Sequence, residues 1–125
     1  MDDLLKNKET RQCRFVFPGT LNDHETLFGG LLMQWMDEVA YITATRYTRK
    51  KMVTVSVDSV RFLKPIQPGM IVELIGRVSY AGKVKLEVQV EIFSEEIFSE
   101  HREKSGEAKL IFAATNAQNR PQRIN

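Results

Sequence analysis

From Val84 to Ile92 the chain alternates strictly: Val84, Leu86, Val88, Val90 and Ile92 take one side, Lys85, Glu87, Gln89 and Glu91 the other. A period of two with one apolar and one charged face predicts a strand that is wet on one side and buried on the other. Weaker alternation near residues 11 to 17 puts Cys13, Phe15 and Phe17 opposite Arg14, which predicts a short first strand ended by Pro18 and Gly19. Residues 52 to 63, MVTVSVDSVRFL, are rich in β-branched types, and Pro65 with the Pro68-Gly69 pair turns the chain into IVELIGRVSY. A tight turn at Ala81-Gly82-Lys83 leads into the alternating strand, and KLIFAAT reads as the last one. The charged stretch from Glu95 to Glu107 is read as a strand end and loop, and the segment from Asn116 as a polar tail. We read no internal repeat, linker or low-complexity segment.

One segment breaks the period of two. Between Phe28 and Tyr47, Leu32, Trp35, Met36, Val39, Ile42 and Thr43 share one face of a helix, and Met33, Ala40, Tyr41 and Ala44 form a second apolar strip. Gln34, Glu38 and Thr45 leave only a narrow polar edge, with Glu38 expected in solvent. A helix this apolar is one that other elements wrap. The order is therefore one strand, one long helix and four strands, the later ones antiparallel because short turns join them. The fold class is α+β, with a five-stranded antiparallel sheet around one central helix. A ferredoxin-like fold needs a second helix, and residues 95 to 107, the only room for one, hold Gly106 and no apolar stripe.

At 125 residues there is length for one domain, with a core over 10–115 and tails at 1–9 and 116–125. So small a domain has little room for a cleft of its own, and we expect an oligomer. Hydrophobic residues make up 42% and charged residues 27%, and no apolar run approaches the ~20 residues of a membrane span, so no membrane role is expected. A formal charge of +2 and one basic cluster, Arg46, Arg49, Lys50 and Lys51, give no footprint for nucleic acid; the cluster ends a helix, where cations suit the dipole. The opening MDDLLKNKETRQ carries charges of both signs and no apolar core, so export is not expected. A lone Cys13 fits a reducing, cytoplasmic compartment and is expected to be buried in its strand.

Candidate chemistry concentrates between Leu21 and Ala40, in LNDHETLFGGLLMQWMDEVA. Gly29 and Gly30 stand where the helix begins. First-turn amides have no intrahelical partner and can donate to an anion or a polarised carbonyl, although such a pair serves tight packing of the helix start equally well. Asp37 projects from the strip of Met33, Ala40 and Ala44, where a carboxylate without a partner is costly. The helix dipole does not account for it two turns in, because that effect fades within the first turn, so Asp37 is the first candidate for a catalytic group. Asn22, Asp23 and His24 are turn-formers by type; Asn22 can also orient a water, and His24 is read as a surface residue. With two histidines, His24 and His101, and one cysteine, there is no zinc spacing, so no metal is expected, and no G-x-S-x-G elbow is present.

The stretch from Phe17 to Gly82, with Asn22, LFGG, WMDEVA, TVSVDSVRFLKPI, PG and VSYAG in this order and spacing, resembles the bacterial and cytosolic acyl-coenzyme A thioester hydrolases of the hotdog superfamily. The resemblance implies the hotdog fold, a homodimer whose two sheets join into one, and often a hexamer built as a trimer of dimers. It implies hydrolysis of acyl-CoA to a free acid and coenzyme A, as in fatty acid metabolism, with coenzyme A a part of substrate and product and no separate cofactor. Carried over residue by residue, it makes Asp37 the catalytic carboxylate, either general base toward water or nucleophile on the thioester carbonyl. It gives the amide of Gly30, helped by that of Gly29, to the thioester oxygen, and sets Asn22 facing the carboxylate of the other subunit. Thr54, Ser56 and Asp58 match the strand beside the pantetheine; Lys64, Gly82 with Lys83, and Arg102 are candidates for the nucleotide.

The chain departs from the family at Glu25, where relatives commonly have glycine three residues after the asparagine, and this bears on the pose of the Asn22 loop. Three rival functions share the fold. A dehydratase or isomerase acting on carrier-protein thioesters has an F-P-G stretch, as at Phe17-Pro18-Gly19, but needs a histidine just before it, and Val16 stands there. A 4-hydroxybenzoyl-type thioesterase would differ in substrate. A non-catalytic acyl-CoA sensor would have no use for Asp37.

Overall fold

The structure, a computed structural model, describes residues 8–24 and 26–124, so Glu25 lies outside the described residues. Strand β1 (Glu9–Phe15) leads through a 3-10 turn at Pro18–Thr20 to helix α1 (Gly29–Thr48). Strands β2 (Lys51–Phe62), β3 (Met70–Ala81), β4 (Lys85–Glu96) and β5 (Arg102–Thr115) follow. All pair antiparallel in one sheet of order β1-β3-β4-β5-β2, which is the expected architecture. β2 does not pair with its successor. It runs from the helix to the far edge beside β5, and residues 63–69 carry the chain back to β3.

Helix α1 lies on one face of the sheet and touches every strand. Leu32, Trp35, Met36, Val39 and Ala40 are buried against Val72, Leu74, Val88, Leu110 and Phe112. Each large side chain so removed from water contributes ~1.5–3 kcal/mol. Helix and sheet come very close at Gly76, where a Cβ would stand 2.5 Å from Thr43 Oγ1 and 3.3 Å from the Val39 carbonyl oxygen. No larger residue fits there without moving the helix. Among the described residues no helix is long and apolar enough to cross a membrane.

The first strand has the expected period but the opposite face inward. Arg14 pairs with Val72, Gln12 with Leu74 and Thr10 with Gly76, all helix-facing positions, while Cys13 pairs with Glu73 and is exposed rather than buried. The reason lies across from it. β1 covers the polar edge of α1, not its apolar face: Arg14 donates to Glu38 at 2.6 Å and lies over the Trp35 ring at 5.1 Å, and Arg46 donates to Thr10 Oγ1 at 2.9 Å. Glu38, expected in solvent, is thus a strand anchor, and Arg46 ties the helix end to β1 beyond any dipole effect.

The fifth strand begins at Arg102, well before KLIFAAT, so half of the stretch read as loop is sheet. Charges on its outer face pair across strands, Arg102 with Glu73 at 2.6 Å and Lys104 with Glu91 at 3.2 Å, and along the strand, Lys104 with Glu107 at 2.6 Å. The same outer face carries Glu9, whose carboxyl is held below its ordinary range by Arg11 and then by Arg77. Alternation there is of charge signs rather than of polarity, which is why a hydrophobic pattern missed it.

The chain does contain a short repeat. EIFSE occurs twice in tandem, at Glu91–Glu95 and Glu96–Glu100. The first copy lies in β4 with Ile92 and Ser94 buried; the second ends the strand and forms the hairpin tip, where Phe98 is 95% exposed. The tail also has structure. Gln122 N–H donates to the Ala114 carbonyl and Ile124 N–H to that of Lys83, so residues 116–124 fold back over the end of β5 and Ile124 packs on the core.

Candidate active site

The helix start is fastened from three sides. Leu27 N–H donates to the Ile66 carbonyl at 2.8 Å, Phe28 N–H to that of Thr20 at 2.9 Å, and Leu21 bridges Leu27. Asn22 closes the loop in between: its Oδ1 accepts from the backbone N–H of His24 at 2.8 Å and of Thr26 at 3.1 Å, and its Nδ2 donates to Thr26 Oγ1 at 2.9 Å. This is an Asx turn doubled by a threonine, a local device of the residue types present. His24 is an exposed loop residue, 3.9 Å from Asp23.

The helix has no side-chain N-cap, and neither Gly29 nor Gly30 N–H has an acceptor among the described residues. Two uncapped donors at the positive end of a 20-residue helix suit a developing oxyanion. The glycines open into different spaces. Gly29 lines a groove of about 300 Å³ together with Asn22, Leu27, Leu32, Phe62 and Lys64. Gly30 lines a second hollow of about 500 Å³ with Thr20, Leu21 and Gln34, and the Phe28 ring lies directly against it.

Two turns farther along, Asp37 is half-buried and accepts a hydrogen bond from Thr54 Oγ1 of β2 at 3.0 Å. Its neighbours on the strip, Met33 and Tyr41, are 38% and 45% exposed, so the wrapping expected on this side is incomplete within one chain. The adjoining strand is equally uncovered. β2 bonds to β5 along one side only, and Val53, Val55 and Val57 are exposed. A long, β-branched edge left open in this way is a template for a second chain.

A register shift between Thr54 and Ser56 separates residues that a plain strand would align. Thr54 pairs with Phe112, a core residue, and so faces the helix; Ser56 pairs with Ile111 and Asp58 with Lys109, on the outer face. Only Thr54 of the three reaches Asp37. The nucleotide candidates are scattered as well. Lys64 stands at the groove of Gly29, Gly82 and Lys83 form the β3–β4 turn by Ala113 at the other end of the sheet, and the Arg102 guanidinium is engaged by Glu73 and the Phe93 ring. Among the described residues no group of three or more His, Cys, Asp or Glu is placed to hold a metal ion.

One chain therefore carries two half-sites: Asn22 with the Gly29 amide, and Asp37 with Thr54. Among the described residues no hydrogen bond joins them. Sequence reasoning missed Thr26, the Thr54–Asp37 bond and the Phe62 ring beside Gly29; of these only Thr26 had a local signal, a threonine four residues after an asparagine.

Residues 24–97 match the thioesterase superfamily. The uncharacterized acyl-CoA thioester hydrolase YkhA of Bacillus subtilis is 38% identical, covering 94% of this chain and 73% of its own. The acyl-CoA hydrolase of Staphylococcus aureus, solved in complex with butyryl coenzyme A, coenzyme A and coenzyme A disulfide, superposes with a TM-score of 0.89 at 38% identity, over 94% of this chain and 72% of that one. Alanine variants of that enzyme, solved separately, replace an asparagine, an aspartate and a threonine that follow one another at the spacing of Asn22, Asp37 and Thr54 here. The hexameric thioesterase y2039 of Yersinia pestis gives a TM-score of 0.83 at 27% identity, over 90% of this chain and 91% of that one.

Proposed function

The chain belongs to the thioesterase superfamily, as an acyl-CoA thioester hydrolase, and on that premise we propose that its active sites form between two copies of the chain. The observation that carries this is the separation of the half-sites. Efficient thioester hydrolysis needs both an oxyanion donor and a carboxylate that acts as base or nucleophile, and here each half is built but incomplete. Joining two copies along the open β2 edges would cover Met33 and Tyr41 and bring Asn22 and Gly29 of one copy to Asp37 and Thr54 of the other. Hexameric relatives support an oligomer, which we read as a trimer of such dimers. The lone thiol fits a cytoplasmic enzyme.

In this reading the thioester oxygen lies at the amide of Gly29, with Gly30 beside it, a contribution on the order of 3 kcal/mol to the transition state. Asp37 takes a proton from water as the water oxygen attacks the carbonyl carbon. Alternatively its carboxylate attacks first, and water then hydrolyses the acyl-enzyme anhydride. In either course the C–S bond breaks, the thiolate leaves and is protonated, and the products are a free acid and coenzyme A. Thr54 holds the carboxylate of Asp37, and Asn22 orients water or substrate. The pantetheine runs beside Thr54, and Lys64 at the groove mouth is the phosphate ligand nearest the first half-site. Ser56, Asp58, Lys83 and Arg102 reach the same substrate only if another copy supplies them.

Mixed dimers test the proposal. Asn22→Ala and Asp37→Asn chains, each weakly active alone, are unfolded together and refolded, with different tags to verify exchange. A shared site predicts that one site of each mixed dimer regains both native residues, so activity rises well above the average of the two parents. Activity at that average, in samples where tags prove mixing, would place both residues in one chain's site.

A further inference from the structure

The groove at the helix start has a buried wall and an exposed one, the latter formed by residues 62–65. Leu27, Leu32 and Ile66 are buried and line the groove with hydrocarbon. The backbone around them is pinned: Leu27 N–H donates to the Ile66 carbonyl at 2.8 Å, and the Leu63 and Lys64 N–H groups both donate to the Ser105 carbonyl, at 3.0 and 3.3 Å. Phe62 alone is a large ring on this groove that stays 53% exposed. It ends β2, just past the register shift between Asp58 and Arg61, and its ring stands 3.7 Å from where a Gly29 Cβ would be. The ring therefore flanks the very residue whose amide is the oxyanion donor, with an apolar channel on one side and solvent on the other.

We infer that the Gly29 groove receives the acyl chain and that Phe62 sets how long a chain it accepts. The inference rests on the acyl-CoA hydrolase reading given above and adds to it a residue that selects among substrates. A carbonyl held at the Gly29 amide can direct its alkyl end along the apolar walls of Leu27, Leu32 and Ile66. Within one chain the groove holds about 300 Å³, at the lower end of ligand-holding pockets. Leu27, Leu32 and Ile66 are buried and have little room to move, so extra methylenes press on the exposed Phe62 ring beside Gly29. In apolar pockets one methylene changes kcat/KM by roughly 10-fold or more.

The test is the ratio of kcat/KM for dodecanoyl-CoA to that for butyryl-CoA, read by free-thiol release on the full chain. Phe62→Ala, which opens the wall, should raise that ratio at least ~10-fold over the wild type; Phe62→Trp, which thickens it, should lower it. Phe28→Ala serves as the comparison, because its ring covers Gly30 in the other hollow and its removal should leave the ratio as it was. If Phe62→Ala fails to fold, Phe62→Leu and Phe62→Trp still give the two directions. A ratio unmoved by either change, or moved the same way by both, overturns the inference. A wild-type chain that cleaves neither thioester instead overturns the hydrolase reading beneath it, so the two failures are told apart.

Discussion

At the start of α1, Asn22 is held by partners no more than four residues away, whereas Asp37 in the middle of the helix takes its side-chain partner, Thr54, from a strand on the far side of a turn. The first half-site is a turn that has acquired a function. Remove its side chain and the loop loses its closure along with its chemistry. The second is a functional group set on a finished helix, half-buried where the neighbouring Met33 and Tyr41 are left exposed. Burial of a carboxylate is tolerable there because a hydroxyl donates to it and solvent, or a second copy of the chain, completes its surroundings. The difference teaches that loss of activity and loss of stability should travel together at Asn22 and separate at Asp37.

The largest effect expected is from Asp37→Asn. The amide keeps an acceptor for Thr54 but can neither take a proton nor attack, so kcat should fall by ~10²-fold or more while the chain unfolds in urea at an unchanged midpoint. A folded variant with near-normal kcat would move the chemistry elsewhere in the molecule. Asn22→Ala is expected to be milder in rate, about 10-fold in kcat, yet to cost about 1–2 kcal/mol of stability, because two backbone N–H groups and the Thr26 hydroxyl lose their common partner. Urea denaturation of the two variants side by side checks this. Equal midpoints would erase the distinction between the half-sites.

How much of this was legible in the sequence follows the same division. Helix α1 and strand β4 were readable because each carries an unbroken period, and the packing they predict is observed except on the Met33–Tyr41 side of the helix, which one chain leaves open. Strand β1 was readable in period and not in direction, since which face turns inward depends on the helix edge it meets; Arg14 and Glu38 each looked solvated only while considered apart. The duplicated EIFSE makes the limit plain. Five identical residues give a core isoleucine and a buried Ser94 hydrogen-bonded to Ser105 in one copy, and an exposed hairpin tip in the other. Local propensity is the same in both, so the strand pairing of the first copy with β3 and β5 decides the outcome.

At the site, the residues of the first half were visible as a cluster because they are neighbours in the chain, and Asp37 was visible because a carboxylate stands out on an apolar strip. That Thr54 reaches Asp37, while Ser56 and Asp58 do not, turns on one irregularity in the pairing of β2 with β5, which no periodicity encodes. The grouping of Gly29, rather than Gly30, with Asn22 likewise depends on how the helix start is pinned to Ile66 and Thr20.

The smallest effect, and the sharpest test of the second half-site, concerns Thr54. Its hydroxyl makes one hydrogen bond to Asp37 from an exposed strand, and a bond of that kind is worth ~0.5–1.5 kcal/mol, so Thr54→Ala should lower kcat by about threefold to tenfold. Thr54→Ser keeps the donor and should retain most of the rate. Thr54→Val keeps the shape without the donor and should resemble alanine; a valine variant as active as the wild type would assign the effect to packing. Stability should hardly change in any of them, since β2 at this point is open to solvent on one side. The decisive measurement is a double-mutant cycle. If Thr54 acts by holding the Asp37 carboxylate, its removal should cost nothing further once Asp37→Asn is in place, and a non-zero coupling energy results. If the two losses instead multiply, Thr54 serves the substrate directly and Asp37 is oriented by the second copy of the chain rather than by its own β2.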